Sequence, residues 1–360
     1  MANSNMSIFD ELAVDHVEFY VQDTAVAAAQ FTDGYGFEIY GASAPAEPAT
    51  AIRSVALGKN RIRLVLTTAQ GADHPAAAYV AQHGDGVANI ALTTPDAREA
   101  FAEAVRRGAA AVAEPAERDG LTTASIRGFG DVIHTFVQRP AGRDVRELPG
   151  LSPVPGTGTR FDSGLGVIDH FAVCVEAGQL APTVEFYEKV LDFQMIFEER
   201  ILVGSQAMDS KVVQSRSGSV TLTVIEPDTS LEPGQIDKFL KNHGGAGVQH
   251  IAFTADSIVE SVGLLKSQGV SFLGTPDAYY RLLSMDLTRY SVSELKELDI
   301  LVDEDHDGQL FQIFTASVHP NGTFFMEVIE RLGARTFGSG NIKALYEAVE
   351  RQRVEAEAEK

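Results

Sequence analysis

The amino-acid sequence contains one module written twice. Val14-Asp-His16-Val-Glu-Phe-Tyr-Val21 resembles Ile168-Asp-His170-Phe-Ala-Val-Cys-Val175, and Phe31-Thr-Asp-Gly-Tyr-Gly-Phe37 resembles Phe186-Tyr-Glu-Lys-Val-Leu-Asp-Phe193. Gly84-Asp-Gly-Val-Ala-Asn-Ile-Ala-Leu92 likewise resembles Gly245-Ala-Gly-Val-Gln-His-Ile-Ala-Phe253. The matches keep the same order, at offsets of 154 (170 minus 16) and 161 (250 minus 89) residues. Such a repeat constrains the fold before any single element is assigned, because each copy must build the same supersecondary unit.

Within each copy the order reads strand, helix, several strands, twice over. Apolar spacing near 3.6 predicts helices over Asp96 to Arg107 and Ser257 to Ser267, and Ile62 to Leu66 and Val220 to Ile225 read as strands. Arg139 to Thr159 is rich in Pro and Gly and reads as a linker. Past Gly338, the pattern Ile342, Leu345, Tyr346, Val349 predicts an amphipathic helix, with a fraying Glu-rich end from Glu355 to Lys360. The expected organisation is α+β, with residues 1–140 as a first domain, 141–160 as linker and 161–360 as a second domain closed by a helix.

Composition narrows the function classes. A chain of 360 residues can bury two cores of ordinary size. Its formal net charge of -21 argues against binding nucleic acid or an anionic membrane surface. A small anionic substrate then needs a locally neutral or positive site, which a bound cation supplies. Met1 to Ser7 has neither the basic region nor the apolar core of a signal peptide, and no run approaches the roughly 18 apolar residues of a membrane span. The single cysteine, Cys174, excludes an intrachain disulfide and fits a cytoplasmic location. In a run of apolar residues it reads as packing.

Three strand-like segments of the second copy, Gly166 to Cys174, Gly247 to Phe253 and Thr323 to Ile329, each carry one good metal ligand: His170, His250 and Glu327. Polar ligands in apolar, β-prone runs need a reason, because an unpaired buried imidazole or carboxylate costs several kcal/mol. Two His and one Glu on a single ion form the facial triad of non-haem Fe(II) oxygen chemistry, with three coordination positions left open. Side chains two apart share one face of a strand, so Phe325 and Glu327 should line one cavity, as should Gln312 with Phe314 and Thr223 with Ile225. By the same parity Gln249 should face away from His250. In the first copy His16 persists, but Asn89 stands at the position of His250 and Phe136 about at that of Glu327. One ligand does not hold iron, so the first copy reads as a degenerate, structural domain and His16 as a satisfied strand histidine.

With these residues in view, the chain resembles the 4-hydroxyphenylpyruvate dioxygenase family, members of the vicinal oxygen chelate superfamily built from βαβββ modules. The resemblance spans essentially the whole chain. It is most specific in Gly244-Gly-Ala-Gly-Val-Gln-His-Ile-Ala252, Leu310-Phe-Gln-Ile-Phe-Thr315, Phe324-Phe-Met-Glu-Val-Ile-Glu-Arg331 and Phe337-Gly-Ser-Gly-Asn-Ile-Lys-Ala-Leu-Tyr346, the last matching the family's closing helix. It implies His170, His250 and Glu327 as metal ligands, Fe(II) as cofactor, and 4-hydroxyphenylpyruvate and O2 as substrates. Ser210, Gln235, Gln249 and Gln312 fall on positions that line or approach the substrate pocket, and Phe314, Phe325 and Phe337 on its aromatic walls. Three departures mark a branch. Members that make homogentisate read Pro-x-Asn-Glu-Pro where this chain reads Thr223-Val-Ile225-Glu-Pro227, and carry Phe where it has Ile342. In all three it looks like the branch that makes 4-hydroxymandelate.

Other readings stay open at this point: a homogentisate-forming enzyme, extradiol cleavage of a catechol, and a non-catalytic ligand-binding protein of the same fold. Asp303-Glu-Asp-His-Asp-Gly308 opens like a calcium loop but has Phe314 where the closing Glu is required, so it reads as a solvated turn. Gly156-Thr-Gly158 lacks the third Gly of a dinucleotide fingerprint. Exposed strands of the first copy offer a surface for a homo-oligomer contact.

Overall fold

The computed structural model describes residues 7–43, 52–156, 158, 160–338, 340, 341 and 343. The first half supplies β1 (Ala13–Tyr20), β2 (Glu38–Ser43), β3 (Ile52–Lys59), β4 (Ile62–Ala69), β5 (Gly86–Thr93), β6 (Ala111–Arg118), β7 (Leu121–Arg127), β8 (Ile133–Gln138) and β9 (Leu151–Pro153). The second supplies β10 (Leu165–Cys174), β11 (Gln194–Val203), β12 (Gln206–Gln214), β13 (Thr221–Pro227), β14 (Gly247–Ala255), β15 (Leu301–Asp305), β16 (Gly308–Phe314) and β17 (Phe325–Leu332). The helices are α1 (Thr24–Ala29), α2 (Pro75–His83), α3 (Ala97–Arg106), α4 (Leu180–Leu191), α5 (Gln235–His243), α6 (Ile258–Ser267), α7 (Asp277–Leu282) and α8 (Val292–Glu297). Among the described residues, no helix is long and apolar enough to cross a membrane.

The strands form two curled sheets, β6-β7-β8-β5-β1-β4-β3-β2-β9 and β11-β12-β13-β10-β14-β17-β16-β15. Each contains two βαβββ modules, such as β10-α4-β11-β12-β13 followed by β14-α6-β15-β16-β17. The first strands of paired modules run antiparallel, β1 beside β5 and β10 beside β14. The fold is therefore the tandem vicinal oxygen chelate architecture implied by the family resemblance, with the duplication expected from the repeat.

Alternation decides which face is buried. On β1 and β10, Val17, Phe19, Phe171 and Val173 enter one core shared by both sheets, together with Ile90, Leu92, Ile251 and Phe253. Aromatic contacts join the halves there, with Phe19 edge-on to Phe324 at 5.3 Å and His134 Nε2 2.7 Å from the Tyr187 hydroxyl. His83 and His243, which end α2 and α5, stack at 4.3 Å. Helices fall where the spacing predicts them. Asp96 caps α3 by accepting from the Arg98 and Glu99 amides, and Ser257 caps α6 by accepting from Glu260 N.

Two expectations change. Residues 151–153, inside the stretch read as a linker, pair with β2 at the edge of the first sheet, and Leu148 packs on Ala56 and Val65. The segment is held by a ladder and a small apolar cluster rather than hanging free. The residue matching Glu327 is not Phe136. Asn89 pairs with Ile133 as His250 pairs with Phe325, so Glu327 corresponds to Thr135. A one-residue difference reverses the face, and Phe136 is fully buried in the shared core. Of the predicted terminal helix, residues 340, 341 and 343 are helical, while Ile342 and Leu345 to Val349 lie outside the described residues.

Candidate active site

His170, His250 and Glu327 stand on β10, β14 and β17, three adjacent strands, and all three are buried. Each lies opposite a small or flat neighbour: His170 pairs with Ala252, His250 with both Ala172 and Phe325, and Glu327 with Ala252. The alanines leave room in which the polar side chains converge. Glu327 Oε2 lies 3.3 Å from His170 Nε2 and 3.2 Å from His250 Nε2, and one potential ligand atom from each residue lies within 4.8 Å of the others. Two imidazole nitrogens and a carboxylate oxygen facing one point fit a divalent metal.

The supporting contacts hold these atoms in place. His170 Nδ1 lies 2.8 Å from Asp169 Oδ1, and Arg331 donates to both Asp169 oxygens at 2.9 Å. A carboxylate on the remote ring nitrogen fixes the tautomer and leaves Nε2 as the ligand atom. Burial opposes ionisation of Asp169, but His170 and Arg331 outweigh it and hold the acid well below the usual carboxylate range. Burial also raises the Glu327 pKa, yet His170 and His250 bring it down to about 2. His170, disfavoured as a cation by burial, is nonetheless raised to about 9 by Glu327 and Asp169.

Glu327 is held from the other side as well. Gln312 Nε2 donates to Glu327 Oε1 at 2.7 Å, Asn341 Nδ2 donates to Gln312 Oε1 at 2.8 Å, and the Tyr279 hydroxyl reaches Asn341 Oδ1 at 3.1 Å. Gly338 lets this segment close over Gln312, because a Cβ there would sit 2.6 Å from Gln312 Oε1. Phe337 stands edge-on to His170 at 5.2 Å with Arg331 behind it at 5.0 Å. Phe325 stacks on His250 at 4.9 Å.

The cavity around the triad is lined by His170, Ala172, Thr223, Ile225, Gln249, His250, Gln312, Phe314, Glu327 and Phe337. Most of the residues predicted to share a pocket do so. Gln249 corrects the parity argument: Ala172 pairs with His250 but Val173 with Val248, so Gln249 is the extra residue of a β-bulge and joins His250 on the cavity. Ser210 is buried opposite Ile225 on β12, so it shares Ile225's face of the sheet but is absent from the lining. Gln235 opens α5 and is absent from the lining, while Ile342 lies outside the described residues. Sequence reasoning missed Asp169, Arg331 and Asn341. The first had a visible signal, since Asp precedes His in both copies. The Thr223 hydroxyl is buried with no partner among the described residues, as is His250 Nδ1.

The acidic turn is not brought into this site. Asp305 Oδ2 accepts from Arg335 N, Thr336 N and the Thr336 hydroxyl, while its other oxygen accepts from Asp307 N and Gly308 N.

Comparison with known proteins agrees with the fold. Residues 167–313 match the glyoxalase, bleomycin resistance protein and dioxygenase superfamily, which is the class that the modules and the triad define. Residues 16–147 match the N-terminal model of hydroxyphenylpyruvate dioxygenase. The chain is 34% identical to 4-hydroxyphenylpyruvate dioxygenase of Dictyostelium discoideum over 94% of its own length and 97% of the relative's. Identity to the Xenopus tropicalis dioxygenase is 32%, covering 94% and 91%. The chain therefore belongs to the 4-hydroxyphenylpyruvate dioxygenase family. A triple mutant of 4-hydroxymandelate synthase from Streptomyces coelicolor superposes with a TM-score of 0.87 at 42% identity, covering 95% of this chain and 98% of that one.

Proposed function

We propose that this protein converts 4-hydroxyphenylpyruvate and O2 into 4-hydroxymandelate and CO2, with Fe(II) held by His170, His250 and Glu327. The bound iron supplies anchorage for the keto acid and activation of O2. The chain's own residues do the remaining work. Asp169 and Arg331 aim His170, and Gln312 occupies Glu327 Oε1 so that Oε2 is the oxygen facing both imidazoles. Phe314 and Phe337 give the aryl ring two aromatic walls and exclude water. Thr223 Oγ1 and Gln249 offer hydrogen bonds to the substrate's polar groups, and the buried, partnerless Thr223 hydroxyl gains most from one.

The observation that carries the benzylic outcome is Ile225 in the cavity wall, with Thr223 two residues before it. An aliphatic side chain at this position removes a hydrogen-bonding hold on the substrate, so the ring tilts away from the reacting centre and the benzylic carbon comes forward. A displacement of about 1 Å is enough to redirect such chemistry. The 42% identity to the mandelate-forming synthase, against 34% and 32% to the two dioxygenases, supports the same branch. The test is product identification after incubation with Fe(II), O2 and 4-hydroxyphenylpyruvate. 4-Hydroxymandelate and homogentisate are isomers, so chromatography against standards or NMR is required. Homogentisate as the main product would overturn the assignment.

A further inference from the structure

The two halves meet at a pair of equivalent histidines that the proposed chemistry does not use. Gln82-His83-Gly84 and Asn242-His243-Gly244 end the matched helices α2 and α5, and both imidazoles are buried. The rings stack at 4.3 Å, Tyr79 lies 4.6 Å from His83, and Phe239 stacks on His243 at 5.0 Å. Buried ring nitrogens need partners, and the two histidines find different ones.

His83 Nδ1 lies 2.6 Å from His243 O, and His83 Nε2 lies 3.0 Å from Asp131 Oδ2. A carbonyl oxygen and a carboxylate both accept, so both nitrogens must donate. Only the imidazolium has two N–H groups. His243 differs: its Nδ1 faces Gly245 O at 3.0 Å, and its Nε2 has no bond among the described residues, which a neutral ring satisfies. Burial, and then the charge on His83, push the His243 pKa down to about 4. Stacked cations repel, so the pair holds one charge.

The surroundings favour that charge on His83. Both helices present their C-terminal carbonyls here, whose partial negative charge suits a cation. Asp131 is half exposed, with Arg127 Nη1 3.6 Å from its other oxygen. Burial pushes the Tyr79 hydroxyl up, so it stays neutral and donates to Val87 O. Glu176 accepts from Ala246 N and Asp85 from Gln22 N, and burial lowers the His319 pKa against the pull of Asp85. The segments lie close. Gly130, at a φ of +51°, would place a Cβ 2.6 Å from Ala246 O, and Gln82 Nε2 donates to Gly244 O at 3.2 Å.

We infer that His83 is a proton-operated clasp between the halves: its imidazolium ties α2 and the end of α5 to the 129–131 turn, and loss of one proton releases the turn. The neutral ring keeps Nδ1–H on the buried carbonyl, where no water substitutes, and half-exposed Asp131 turns to solvent. The bond to His243 O then loses its charge assistance as well. The clasp bears on the cavity because Ile236 and Phe239 of α5 share a cluster with Ile225 and Cys174. It operates whichever product the site makes.

Ring-nitrogen NMR of full-length protein labelled at histidine, with amide hydrogen exchange corrected for its intrinsic pH dependence, tests this. The protonated His83 ring is expected to show two N–H groups while His243 shows one. As the His83 ring titrates, the Gly128 and Val132 amides, which bond Val132 O and Phe129 O to close the turn, lose protection by about tenfold. The Gly244 and Gly245 amides at the end of α5 lose less. Asp131→Asn abolishes the pH-dependent change, since an amide pairs with either form of the ring, and His83→Gln abolishes it too. Thermal melting checks folding, and should His83→Gln fail to fold, Asp131→Asn gives the same readout. A His83 ring that is neutral wherever the protein is folded overturns the clasp. So does turn protection that does not follow the His83 titration, or one that follows it undiminished in Asp131→Asn.

Discussion

The two concave faces share a backbone and differ in almost everything that stands on it. At matched ladder positions the first sheet presents Glu18, Thr67, Asn89, Ser125 and Thr135, where the second presents Ala172, Ile225, His250, Phe314 and Glu327. One face is rich in hydroxyls that satisfy one another; the other is apolar and aromatic around three donors. Common to both are the bulged Asp-His pair and the arginine behind it. What separates a reactive chamber from a polar one is thus a handful of inward side chains, while strand order, register and relay stay the same.

The largest contrast is expected at the third ligand. Glu327→Ala should reduce bound iron and turnover together by more than about a hundredfold, since losing a direct ligand exceeds the typical cost of losing an outer partner. Thr135→Ala, at the matching place, should leave iron content unchanged by metal analysis. Equal losses in the two variants would break the distinction between the halves.

A smaller effect is expected one layer out. Asp169→Asn should weaken iron binding in the second half by about 10- to 100-fold, measured by competition with a chelator. The mirrored Asp15→Asn, behind His16 on the sheet without the triad, should leave iron affinity unchanged. Cross-effects of similar size would show that the two relays are not separate.

Where the halves meet, acid should act through His134. Burial holds its pKa down to about 4, against 6.5 in an unfolded chain. Above pH 6.5 both states are neutral and the contribution is full. As pH falls toward 4 the unfolded chain binds the proton first, so stability declines by on the order of 3 kcal/mol. His134→Gln should flatten that part of the pH–stability curve in denaturant titrations. A slope unchanged by the substitution would assign the acid sensitivity elsewhere. The smallest difference is expected between matched serines: Ser54→Ala breaks the bond to Thr67 and should cost about 1 kcal/mol, with Ser210→Ala costing less.

Much of this was legible because strands alternate. Period-two spacing placed Thr223 with Ile225 and Gln312 with Phe314, and the repeat pointed to His170, His250 and Asn89. The misplacements share one cause, a change of phase that composition does not reveal. Gln249 lies in a bulge, and one residue of offset separates Thr135 from Phe136. The Asp169–Arg331 pair spans 162 residues, a distance over which no local pattern carries information. Gln235 lies on a helix, where strand parity does not apply.

The bulges at Asp15 and Asp169 have a further consequence. A regular strand is read in twos, so neighbouring residues serve opposite faces and never one task. On β1, Val14 and His16 pair with consecutive residues of β5, and on β10, Ile168 and His170 pair with consecutive residues of β14. The skipped aspartate shifts the reading frame of the strand by one. Two adjacent letters, Asp and His, can then be spelled into a single word.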